Sequence, residues 1–82
     1  MFYDTLMKIR EAQIFSDKVV ALLKKEQQDK GISNYTLAQL SGISEASISY
    51  IYRNQRHPTL YTLKMIADAL NLSLADIIAR VE

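Results

Sequence analysis

The chain contains no cysteine, only one proline and two glycines, and almost no excess of either charge. Without cysteine it can form neither a disulfide framework nor a zinc site with thiolate ligands, and a reducing cytoplasm is compatible with it. No apolar run approaches the ~20 residues that a helix needs to cross a bilayer. The first residues also mix charges of both signs, unlike a signal peptide. We therefore expect a cytoplasmic protein with no membrane partner.

The near balance of charge restricts the partners that the whole surface can attract. Ten basic and nine acidic residues give a formal net charge of +1 at pH 7. Nucleic-acid-binding proteins usually show a clear basic excess, so such a role here would depend on a local cluster of cations. The hydrophobic content of 49% is too high for a disordered chain, and 82 residues suffice for one domain with a single core.

Residues that carry covalent or metal chemistry are scarce. His57 is the single histidine, and it has no carboxylate or cysteine at a metal-ligand spacing, so we expect no bound metal. The sequence has no glycine-rich phosphate loop and no motif of a serine, histidine and aspartate triad. We therefore expect a protein that is not an enzyme and that takes no cofactor or small-molecule ligand.

Apolar residues recur at three- and four-residue steps, which predicts an all-α fold. A helix is expected from about Asp17 to Lys30, with Ser16 as its N-cap and Phe15 and Val20 as a hydrophobic staple. Four shorter helices should follow, at about residues 35–41, 45–53, 60–70 and 74–81. Their candidate N-caps are Ser33, Ser44, Thr59 and Ser73. The helices expected at 45–53 and 60–70 should end at Asn54 and Asn71, respectively.

The stretch from Tyr35 to Arg53 combines two short helical patterns around Gly42. Leu40 belongs to the apolar side of the first pattern, and Ile48 and Ile51 mark the buried side of the second. The remaining positions of the second helix would point outward. Two helices joined by a tight turn with glycine form a helix-turn-helix, whose second helix can enter the major groove of DNA.

From Val19 to Ile78 the sequence resembles the phage repressor and Cro type of helix-turn-helix domain, the Xre-like family. The matching residues are Leu37-Ala38, Gly42-Ile43-Ser44, Ile48, Ile51, Arg56, Pro58, Leu63, Ile66-Ala67, Leu70 and Leu74. The resemblance implies a compact five-helix repressor-like bundle that binds double-stranded DNA, usually as a dimer on an inverted repeat. The chain departs from the family at Tyr52, near which members often have glutamate, and at Asn54, where they often have glycine.

In the resembling family the third helix lies in the major groove, and the loop after it and the start of the second helix contact phosphates. The residues here that would read bases are Ser44, Glu45, Ala46, Ser49, Tyr50 and Arg53. The residues that would contact phosphates are Ser33, Asn34, Ser47, Gln55, Arg56, His57 and Lys64. Ser44 has a second interpretation, because its hydroxyl could be occupied by capping the helix. Arg53, Arg56 and Lys64 form the expected cluster of positive charge.

Residues 1–15 lie outside the resemblance, as an N-terminal extension to a DNA-binding domain at residues 16–82. Apolar spacing predicts a short helix in the extension, with a role in binding a dimer partner or another protein. Two surfaces could hold a homodimer, one in the extension and one on the fifth helix. Their residues are Phe2, Leu6 and Ile9, and Leu74, Ile78 and Val81, respectively.

The sequence thus predicts a sequence-specific transcriptional regulator that binds an inverted-repeat operator as a homodimer. Phage repressors and Cro proteins, controller proteins of restriction-modification systems and antitoxins share this architecture. The alternative is a protein-interaction module, such as an antitoxin with a toxin or a regulator as its partner. The near-neutral charge and the lack of cations at the front of the third helix favour that alternative.

Overall fold

The computed structural model describes residues 2–82, which form five α-helices and no strand. In chain order the helices are α1 (Phe2–Asp29), α2 (Asn34–Ser41), α3 (Glu45–Tyr52), α4 (Leu60–Ala69) and α5 (Leu74–Val81). This confirms the predicted all-α fold. Within the described range, no helix combines the length and the apolar character needed to span a bilayer.

The first helix is longer than the sequence predicted. α1 runs without a break for 28 residues, which corresponds to about 42 Å at 1.5 Å per residue. The predicted N-cap at Ser16, with its staple of Phe15 and Val20, is therefore wrong, because all three residues lie inside α1. Neither glycine nor proline occurs between Phe2 and Lys30, so nothing in the local chemistry interrupts the helix there. The described part of the extension, residues 2–15, is helical, as expected, but it is continuous with the first helix of the bundle; residue 1 lies outside the described residues.

The hydrophobic core lies between the second half of α1 and the other four helices. Each helix contributes at least one side chain that is almost fully buried, and each such leucine, isoleucine or valine adds roughly 1.5–3 kcal/mol of burial free energy. The members are Val19, Leu23, Leu37, Ile48, Ile66, Ala67, Leu70, Leu74 and Ile77. Leu40, which belongs to the predicted apolar side of the first pattern, is instead 58% exposed, and Leu60 at the start of α4 is 69% exposed. Short helices on a small core bury only a narrow strip, so a hydrophobic residue at its edge remains in water.

The N-caps predicted for the four shorter helices are confirmed. In each case the hydroxyl accepts a hydrogen bond from the backbone N–H three residues later, and the capping residues are Ser33, Ser44, Thr59 and Ser73. Gly42 follows α2 with a φ of 75°, where a residue with a side chain would be strained. Asn54 and Asn71 both adopt a φ of 58°, as expected for asparagines that follow a helix.

Candidate nucleic-acid interface

α2 and α3 form the helix-turn-helix and pack against each other through a buried inner side. Leu37, Ile48 and Ile51 are buried there, and the Oγ of buried Ser41 accepts a hydrogen bond of 3.2 Å from the backbone N–H of Ile43 in the turn. With this side fixed in the core, the opposite side of α3 faces solvent. Among the predicted base readers, Ser49 is half-buried, and the exposed ones are Ser44, Glu45, Ala46, Tyr50 and Arg53.

The hydroxyl of Ser44 is used within the protein. It accepts from the backbone N–H of Ser47 at 3.1 Å and donates to the Ser47 Oγ at 2.8 Å. The Arg56 guanidinium donates to the same Oγ at 3.4 Å. This short chain of hydrogen bonds joins the start of α3 to the loop that follows it. Ser44 therefore caps α3, and together with Ser47 it connects Arg56 to the start of that helix.

Two arginines lie against the ring of Tyr50. The guanidinium carbon of Arg56 is 4.8 Å from the ring centroid, and that of Arg53 is 5.4 Å from it. These distances are within the range of cation–π interactions. The Arg53 Nε also donates to the Ser49 carbonyl oxygen at 3.3 Å. The cation cluster of Tyr50, Arg53 and Arg56 thus concentrates two positive charges at the C-terminal end of α3.

Lys64 does not join the cation cluster in the structure. Its Nζ forms an ion pair of 2.9 Å with Asp68 on the exposed side of α4. The sequence interpretation that grouped it with the two arginines overlooked this carboxylate, which lies four residues later, one helical turn away.

His57 lines a groove of about 500 Å³ with Ile9 and Ser16 of α1. Of the predicted phosphate contacts, Ser33 and Gln55 remain exposed beside α2 and α3.

A buried glutamine connects three helices next to this surface. Gln27 of α1 is 4% exposed, and its Oε1 accepts a hydrogen bond of 2.5 Å from the hydroxyl of Tyr52. Its Nε2 donates to the Ile32 carbonyl oxygen at 3.0 Å and to the Asn34 Oδ1 at 2.8 Å. Both polar atoms of the Gln27 side-chain amide, Oε1 and Nε2, thus have hydrogen-bond partners. The oxygen could accept one more hydrogen bond. Burial also raises the pKa of Tyr52 to about 12, so the tyrosine remains a neutral donor at physiological pH.

The glutamine lies at the base of a notch of about 230 Å³ between α1, α2 and α3. Lys24, Asn34, Ser49 and Arg53 contribute to its lining. Because the Asn34 Oδ1 is engaged by Gln27, the Asn34 amide NH2 is the part of that side chain left for a ligand. Lys24 and Gln27 were not predicted from the sequence as part of this site. Their proximity to Asn34 depends on the angle between α1 and α2, which the sequence does not reveal.

Comparison with known proteins agrees with this architecture. Residues 23–82 match the model of a family described as the Cro/C1-type HTH DNA-binding domain. Over 57 residues, or 70% of the chain, the sequence is 39% identical to the HTH-type transcriptional regulator SutR of Escherichia coli (strain K12). The chain spans only 32% of the length of that regulator.

A solved structure is also similar. It is a point mutant of the restriction-modification controller protein C.Esp1396I, with a TM-score of 0.76 and 30% sequence identity. The match covers 82% of this chain and 87% of the controller protein chain. Helix order, capped helix-turn-helix and sequence match therefore lead to one conclusion: the chain belongs to the Cro/C1-type helix-turn-helix DNA-binding domain family.

Proposed function

We propose that the protein is a cytoplasmic transcriptional regulator that places the exposed side of α3 in the major groove of its operator. The operator would be an inverted repeat bound by a homodimer, with half-sites about 34 Å apart. The observation that carries this proposal is the cation cluster at the end of α3, where Arg53 and Arg56 flank Tyr50.

The pairing of charges explains how a chain with a net charge of +1 can bind a polyanion. Lys25, Lys64 and Arg80 are each within 3.0 Å of a carboxylate oxygen elsewhere on the surface. In residues 2–82, none of these ion pairs includes Arg53 or Arg56. Their two guanidinium groups both lie within 5.4 Å of the Tyr50 centroid, and a phosphate beside them would reduce the repulsion between the two like charges. The local excess of positive charge thus lies where the family carries its DNA-binding helix.

Base readout would come from the residues of α3 that the internal hydrogen bonds leave exposed. Glu45 could accept from the N4 amine of cytosine, and Ala46 could contact the methyl group of thymine. Tyr50 is exposed and lies beside Arg53 and Arg56, so its hydroxyl could contact a base edge or a phosphate. Ser44 and Ser47, whose hydroxyls bond to each other, would support the helix and position Arg56 at the backbone.

A salt series tests the electrostatic part of the proposal. A labelled duplex, selected from a random pool, is titrated with protein at several salt concentrations. Each phosphate contact contributes about −0.9 to the slope of log affinity against log salt. Arg53→Ala and Arg56→Ala should each weaken binding and make the slope shallower by roughly that amount. Arg80→Gln is the matched control, because Arg80 lies on α5 and is paired with Glu26. If all three variants retain the wild-type slope, the cation cluster does not bind phosphate.

A further inference from the structure

The first half of α1 projects from the bundle and lies outside the matched family domain. The family match begins at residue 23, whereas the helix begins at Phe2. Residues 2–14 are all exposed, and burial in the core begins near Val19. The molecule measures 45 × 25 × 20 Å, so this projecting arm, defined here as residues 2–14, makes it elongated.

Apolar and charged side chains of the arm lie in separate stripes along the helix. One stripe, at helical steps of four, three and four residues, contains Phe2, Leu6, Ile9 and Gln13. The adjacent stripe at the same steps contains Tyr3, Met7, Arg10 and Ile14. The charged residues Asp4, Lys8 and Glu11 follow the same spacing on the other side. Six of the eight residues on the two neighbouring stripes are thus large and apolar, although the monomer buries none of them.

This uncovered apolar side is costly for an isolated protomer. Exposed fractions range from 89% for Phe2 to 42% for Met7, which corresponds to about 600 Å² of apolar surface on the arm. Monomeric soluble proteins rarely expose larger patches unless they bind something there. A helical segment of this length without packing is also only marginally stable in water. Both arguments indicate that the arm is covered in the functional protein.

We propose that a second copy of the chain covers the arm, with the two arms packed antiparallel through their apolar sides about a twofold axis at the midpoint of residues 2–14. This inference rests on the proposed homodimer and selects its surface. Two copies would bury up to roughly 1,200 Å² of apolar surface, the lower limit of a stable, specific interface. Arg10 and Gln13 are long enough to keep their polar ends at the rim while their stems pack. The alternative surface on α5 exposes less apolar area to a second copy, because Leu74 is 8% exposed and belongs to the core of its own chain.

The antiparallel orientation also suits two DNA half-sites. Along α1, the buried residues are Val19, Val20, Leu23 and Gln27, and their centre lies about 14 residues from the midpoint of the arm. At 1.5 Å per residue this places each bundle roughly 21 Å from the twofold axis along the helix direction, and the two bundles roughly 42 Å apart. Antiparallel arms thus separate the bundles on the scale of one to two major-groove half-sites, whose recognition elements lie about 34–36 Å apart or multiples of that distance. Parallel arms would instead hold the bundles side by side.

Sedimentation without DNA tests the surface separately from the DNA-binding function. The wild type should sediment at twice the 9.4 kDa mass of the chain, and Leu6→Glu and Ile9→Glu should sediment as monomers. Both residues are exposed in the monomer, so an unchanged melting transition at low protein concentration reports that the bundle remains folded. Lys8→Glu is the control, because it reverses a charge on the opposite side of the arm and should leave the dimer intact.

Disulfide cross-linking tests the orientation, and the chain has no native cysteine to interfere. Met7→Cys places a thiol near the proposed twofold axis and should form a covalent dimer under mild oxidation. Tyr3→Cys places thiols far apart in antiparallel arms and should not. Equal cross-linking of both variants would overturn the antiparallel arrangement. A wild-type dimer that Leu6→Glu and Ile9→Glu leave intact would overturn the arm as its interface while retaining the homodimer. A monomeric wild type that still binds its operator in the salt series would overturn the arm without affecting DNA binding.

Discussion

Removal of one hydroxyl group should destabilise the protein measurably. Tyr52→Phe deletes the donor that satisfies the Gln27 Oε1, an acceptor on a residue that is only 4% exposed. Leaving a buried acceptor without its partner costs about 2 kcal/mol, more than the net gain from a typical hydrogen bond. The packing of the ring is retained, so no cavity contributes. For a domain of this size that loss corresponds to a decrease in melting temperature of roughly 8–16 °C.

Thermal and urea unfolding followed by circular dichroism at 222 nm would measure the loss. Protein concentration must be equal across variants, because dimerisation would make the transition depend on it. Tyr61→Phe is the matched control, since it makes the same chemical change at a ring that is 72% exposed. It should alter stability by less than about 0.5 kcal/mol. If the two variants unfold at the same temperature, the Gln27 network does not stabilise the junction of α1, α2 and α3.

Three further predictions concern the notch, the N-cap of α3 and the buried hydroxyl of Tyr52. Lys24 lines the notch, so Lys24→Ala should weaken binding to many duplexes alike and reduce the salt slope by about 0.9. Lys25→Ala should not, because Lys25 is paired with Asp29 at 2.9 Å. Anisotropy titrations that give both variants the same slope would refute a phosphate contact at Lys24. Ser44→Ala should lower the unfolding free energy by about 1 kcal/mol through loss of the α3 cap, which denaturant melts would detect. Because burial raises the pKa of Tyr52 to about 12 while an unfolded tyrosine titrates near pH 10, stability should decline between pH 10 and 12, less steeply in Tyr52→Phe; identical declines would contradict this.

The bundle could be predicted from the sequence where the signals are local. Ser33, Ser44, Thr59 and Ser73 each stand directly before a helix and bond within three residues, so their role is readable from the order of residues alone. The same local rule failed at Ser16, because a capping residue marks a helix start only where the preceding chain is not itself helical.

The parts of the site that sequence analysis missed depend on distance in space. Gln27 and Tyr52 are 25 positions apart, yet they share a hydrogen bond, and neither is unusual in its own helix. The four-residue spacing allows Lys64 to pair with Asp68. Whether Lys64 pairs there or lies beside the arginines depends on the orientation of α4. The sequence therefore predicts α3 and the arginines at its end as the candidate DNA-binding surface, and the structure adds the notch and the Gln27 network beside them.

The most direct test of the proposed function is selection of operator DNA. The protein would be incubated with a pool of random duplexes, and the bound fraction would be amplified and sequenced over several rounds. Binding through α3 of a homodimer predicts enrichment of one inverted repeat whose half-sites are centred about 10 base pairs apart. A pool that remains random after selection at low salt, despite retained folding, would contradict the claim that this helix reads a DNA sequence.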